Sequence, residues 1–80
     1  MNINTLITTL DNSLTRSIVS YKDCGDIIAY DCETTTITIN STDYNPRRLF
    51  LIPKADVKLG LYINNTVTEI PISEINSISI

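Results

Sequence analysis

The sequence predicts an α+β domain, mainly β, in which an N-terminal helix packs on an antiparallel meander sheet or a partly open small barrel. Three observations predict it. Apolar residues near the N-terminus recur at helical spacing, the chain from Ser17 onward switches to a period of two with β-branched residues dominant, and the pair Asn64-Asn65 divides two such segments as a hairpin turn does.

The helix is expected over residues 3 to 14. Ile3, Leu6, Ile7, Leu10 and Leu14 fall on one face, and Asn2 or Asn4 can cap the start by accepting a bond from an orphan backbone N–H. Thr8 and Thr9 weaken its intrinsic propensity, so docking must hold it. Strands follow near 17 to 22, 26 to 32 and 35 to 40, with turns at KDCGD, where Gly25 can take a positive φ, and at CETT. These three strands are expected to run as a meander.

The stretch STDYNPRRL reads as the main loop, punctuated by Asn45-Pro46. After it, RLFLI is apolar on both strand faces, which requires cover on both sides. In a chain with one helix and a sheet that does not close, a second subunit is the simplest cover, so a homodimer is expected. KLGLYI and TVTEI then form a hairpin around Asn64-Asn65, with Gly60 marking a bulge or tight bend.

Pro53 and Pro71 cannot donate to a ladder, so each should end a strand. The KAD and ISE segments that follow can form single 3₁₀ turns that drop Val57 and Ile75 into the core. The expected core comprises Leu6, Ile7, Leu10, Ile28, Ile37, Ile39, Leu51, Leu61, Ile70 and Ile75. The last of the two junctions, VTEIPISEINSISI, resembles the closing turn and strand of Sm-like and SH3-like small β-barrels, and a helix before a meander is similar to the Sm arrangement. That resemblance implies an oligomeric barrel that binds RNA or a small anionic ligand.

Length and composition bound the rest. An 80-residue chain with 42% hydrophobic and 19% charged residues forms one folded domain, residues 1 to 80. The richness in Ile, Asn, Thr and Ser is what an AT-rich genome produces, and it accounts for the Asn-x-Thr sequons at Asn40 and Asn64 without glycosylation. Neither a signal peptide nor a membrane span is apparent, so a cytoplasmic location is expected, in a bacterium or a phage-infected host cell. Cys24 and Cys32 are separated by the strand-like DIIAYD. At about 3.3 Å per residue this holds them beyond the roughly 7 Å that a disulfide spans, and free thiols are expected.

The chain contains no His, so neither a His general base nor a Cys–His pair can form, and no Gly-rich phosphate loop is present. Neither catalysis, a metal nor a cofactor is expected. Net charge of −3 and a pI near 4.5 disfavour nucleic-acid binding. Two stretches remain as candidate partner contacts: the acidic residues Asp23, Asp26, Asp31 and Glu33, which would steer towards a basic surface, and Tyr44, Arg47 and Arg48 in the loop. Arginines in a solvated loop paired with nearby carboxylates are the bland alternative.

The combination of small size, acidity and missing catalytic groups resembles the proteins that phages and mobile elements make to block bacterial enzymes or defence systems, anti-CRISPR proteins among them. A small acidic inhibitor acting by stoichiometric protein binding is therefore expected. The Sm-like barrel and a structural subunit of a larger assembly are the alternatives.

Overall fold

Helix α1 spans Ile3–Ser13 and is capped as its sequence allows, with the Asn2 carboxamide accepting a 2.7 Å bond from the Asn4 N–H. The computed structural model describes residues 1 to 33 and 35 to 80. Leu6 and Leu10 have no solvent exposure, so the helix is held by the stripe that its spacing provides. The N-terminal amine adds a tether, donating to the Ile72 carbonyl at 3.1 Å.

The strands are β1 (Thr15–Ser20), β2 (Asp26–Asp31), β3 (Ile37–Ile39), β4 (Thr42–Tyr44), β5 (Arg48–Ile52), β6 (Lys58–Ile63), β7 (Thr66–Pro71) and β8 (Ile78–Ser79). They form a five-stranded sheet in the order β1-β2-β5-β6-β7 and a three-stranded sheet in the order β4-β3-β8, antiparallel throughout. Neither closes into a barrel. The junction that resembles Sm-like proteins is present, with Pro71 ending β7 and a 3₁₀ turn at Ile72–Glu74, but β8 pairs with β3 in the smaller sheet and closes nothing.

The expected meander breaks after its second strand. Residues 37 to 39 leave the large sheet and β5 takes the place beside β2, with Ala29 opposite Phe50. The reason is polarity. RLFLI is apolar on both faces and suits a central position, whereas ITI buries Ile37 and Ile39 and turns Thr38 outward, which suits a thin outer sheet. The expected loop at residues 41 to 49 also contains a strand, β4. Asn40 and Ser41 both have positive φ, 50° and 68°, and so turn β3 into β4 as Asn64 and Asn65 turn β6 into β7 at 51° and 62°. The expected turn at CETT includes Thr34, which lies outside the described residues. At its flanks the Thr35 N–H donates to the Cys32 carbonyl at 2.6 Å.

The core lies in two parts, one on each face of the large sheet. Helix α1 and the small sheet cover one face over Tyr30, Cys32, Leu49, Leu59 and Leu61. On the other face Tyr21, Ile27, Ala29, Phe50 and Ile52 cluster beneath the β1–β2 connection, with the Tyr21 and Phe50 ring centroids 5.3 Å apart. The Tyr21 hydroxyl reaches Glu69 on β7 at 3.3 Å, so this connection folds over the sheet. Leu49, Phe50, Leu51 and Ile52 are consequently all buried within one chain. A second subunit is not needed to cover them.

Gly60 forms no bulge, because the ladder runs unbroken from Phe50 through Gly60 to Glu69. It lacks a Cβ for a packing reason: a Cβ there would lie 2.9 Å from Ile52 Cδ1 and 3.0 Å from Val67 Cγ1. The ISE segment forms its 3₁₀ turn, while KAD only bends. Of the expected core, Ile7, Ile28 and Ile70 are half-buried at its margin and the others are buried.

Candidate partner interface

The candidate residues separate into distinct places. Side chains alternate across a strand, so Asp26, in register with Ser20, shares the helix-side face with Ile28 and Tyr30, whereas Asp31 shares the opposite face with Ile27 and Ala29. Five residues of strand put them about 16 Å apart. Asp23 is exposed in the 3₁₀ turn Lys22–Cys24, and Glu33 lies beyond the far end of β2. These four carboxylates therefore form no single patch. Asp26 edges an apolar groove of about 330 Å³ between α1 and the sheet, lined by Ile3, Ile7, Ile28, Leu51 and Val57.

The loop residues divide as well. Tyr44 is half-buried against the core, and Arg48 opens β5, where it stands opposite Asp31 on one side and Tyr62 on the other. Arg47 and Glu33, in contrast, come together. They line a cleft of about 470 Å³ with Asn45, Tyr62, Asn64 and Asn65.

The cleft arises from the way three connections meet at one end of the large sheet. The Arg47 N–H donates to the Tyr62 carbonyl at 2.8 Å, and the Arg47 carbonyl accepts from the Cys32 N–H at 3.1 Å, so its backbone is fixed from both neighbouring strands. Pro46 beside it is fully buried and sets the chain's approach. Asn45 accepts a 2.9 Å bond from the Thr36 hydroxyl, and the β6–β7 turn supplies Asn64 and Asn65. Sequence reasoning assigned Asn45, Asn64 and Asn65 only a turn role and missed Tyr62. The signal available was that the same Asn residues that shape a turn also expose a carboxamide at its tip.

Among the described residues the ion pairs are Arg16–Asp11 at 2.7 Å and Lys54–Glu69 at 3.3 Å, so Arg47 and Arg48 are not held by carboxylates in this structure. Asp11 accepts from Arg16 Nε at 3.0 Å and Nη2 at 2.7 Å, and from the Tyr30 hydroxyl at 2.7 Å. The Arg16 and Tyr30 bonds hold its carboxyl below the usual aspartate range. Burial pushes Glu69 up, but bonds from Lys54 and Tyr21 outweigh it and the net shift is downward. Burial, with Asp31 nearby, pushes the Cys32 thiol up to about 11. Both cysteines are free.

The cleft offers one carboxylate, one guanidinium and several carboxamides, a set that donates and accepts hydrogen bonds on an open surface. Among the described residues no group of Cys, Asp and Glu gathers in a way that could hold a metal ion, and no helix is long and apolar enough to cross a membrane. Comparison with known proteins finds no matching family model, curated protein or solved structure.

Proposed function

We propose that this protein is a non-catalytic binding protein that engages another protein stoichiometrically, with the cleft around Glu33 and Arg47 as its principal contact. One observation carries the reading. Two oppositely charged side chains from separate connections line one open cleft together with Asn45, Asn64, Asn65 and Tyr62, and Arg47 rides on a backbone bonded to strands on both sides. Affinity in protein interfaces comes from a few anchors of this kind, Arg and Tyr prominent among them, and rigidity lowers the entropy cost of engaging them.

The net charge of −3 favours partners with a basic surface, and the dispersed carboxylates Asp23, Asp26 and Asp31 act on the approach rate more than on affinity. A basic surface is often a nucleic-acid site, so occupation by an acidic protein would block it. This is the action of a phage or mobile-element inhibitor of a bacterial enzyme or defence system, in the manner of anti-CRISPR proteins. A cytoplasmic location and a dimeric state belong to the same proposal.

The test is affinity purification from bacterial host cells using the wild-type protein and an Arg47→Ala, Glu33→Ala double variant as parallel baits. A protein retained in equimolar amount by the first and lost from the second is expected. If RNA is retained instead, and lost with Arg47→Ala and Arg48→Ala, the protein-binding reading fails.

A further inference from the structure

The geometry points to the free edge of β1 as the dimer interface, where a second copy of this chain adds its own β1 antiparallel and joins the two five-stranded sheets. This rests on the dimeric state proposed above and names the surface that forms it.

The orientation of the free backbone groups follows from the ladder. The Tyr21 N–H donates to the Gly25 carbonyl, and strand residues alternate, so Thr15, Ser17 and Val19 direct their backbone groups at β2. The N–H and carbonyl groups of Arg16, Ile18 and Ser20 therefore point outward along an open edge. The other strand edges are blunted. β7 ends in Pro71, which has no N–H to offer, while β4 and β8 are three and two residues long. β1 has six residues, no proline, no bulge and a single charge, Arg16, already paired with Asp11. At its centre Ile18 is 62% exposed, the most exposed large apolar side chain among the described residues.

A two-fold axis at Ile18 uses every outward group. Ile18 then faces Ile18 of the second copy, Arg16 faces Ser20, and Ser20 faces Arg16. A shift by one bonding position in either direction would move Ile18 off its counterpart and leave one end of the six-residue strand without a partner. In the Ile18-centred register the row continues from Arg16 past the small Ser20 of the second copy to Asp26, since Ser20 pairs with Asp26. The Arg16–Asp11 pair of one copy and Asp26 of the other thus flank an apolar centre at both ends of the joint. Ile28, in register with Ile18 and lining the groove under α1, extends that apolar strip.

Sedimentation equilibrium and amide hydrogen exchange on the wild-type protein test this. A rise from 8.9 kDa towards twice that mass with concentration is expected. The amides of Arg16, Ile18 and Ser20 should exchange freely at low micromolar concentration and become protected at millimolar, while those of Ser17 and Val19 stay protected in both. Ile18→Lys places two ammonium groups on the axis and should weaken the dimer at least about tenfold without changing the circular dichroism spectrum. A wild-type monomer at every concentration would overturn both the dimer and its surface. A dimer in which the Arg16, Ile18 and Ser20 amides gain no protection, or which Ile18→Lys leaves intact, would overturn the surface alone.

Discussion

The Tyr30 hydroxyl donates a 2.7 Å hydrogen bond to Asp11 Oδ1 from a ring with no solvent exposure, and so carries the core's largest fully buried side chain out to the end of α1. Arg16 binds the same carboxylate, which ties the helix to β1 and β2 at one point. Because this pairing holds Asp11 below its usual range, its contribution to stability is complete above about pH 4 and is lost as pH falls through the lowered value. Thermal melts of Asp11→Asn and Tyr30→Phe should show lower melting temperatures than wild type near neutral pH. The difference for Asp11→Asn should shrink as the solution is acidified below pH 4, and a constant difference would contradict the linkage.

Asn40 locks the two ends of the small sheet. Its Oδ1 accepts from the Asn76 and Ser77 N–H groups at 2.7 and 3.2 Å, and its Nδ2 donates to the Glu74 carbonyl at 2.8 Å. It also holds φ at 50°, which Asn tolerates better than most residues. Asn40→Ala should cost about 1–3 kcal/mol in denaturant titration. Asn40→Gly, which keeps the turn and loses the clamp, should raise hydrogen exchange at residues 76 to 79 with the helix unaffected.

A methyl group at Gly60 would require the buried Ile52 δ-methyl and Val67 to shift. Since a Cβ would press on Ile52 and Val67, Gly60→Ala should destabilise by about 1–3 kcal/mol through overpacking. Leu10→Ala and Ile39→Ala, which open cavities in the other part of the core, should cost about 2–5 kcal/mol each.

The helix, the two sheet-forming hairpins of KDCGD and Asn64-Asn65, and most of the core were legible because each is a local pattern: spacing along one face, period-two alternation, or a turn residue. Tertiary choices were not. Whether ITI or RLFLI lies beside β2 depends on which segment needs cover on both faces, and the Asn40-Ser41 turn was hidden because β4 is too short to show a period. The cleft was half legible. Arg47 and Glu33 stood out by charge, but their meeting requires the long-range pairing that carries Arg47 to the ends of β2 and β6.

The thiols should differ in reactivity. Burial and the elevated pKa of Cys32, about 11, make its thiolate scarce near neutral pH, whereas Cys24 is only half-buried. Brief alkylation of native protein, read by peptide mass spectrometry, should label Cys24 and spare Cys32. Both should label in denaturant, and an intramolecular disulfide should be absent.

Stoichiometric binding through the Glu33–Arg47 cleft is tested most directly by native mass spectrometry of the complex purified from host cells. A one-to-one ratio of this chain to a single host protein is expected. Arg47→Ala should speed its dissociation, while Asp26→Lys with Asp31→Lys should slow association and reduce its salt dependence. Recovery of this chain with no partner, or of a complex whose dissociation rate is the same for wild type and Arg47→Ala, would contradict the account.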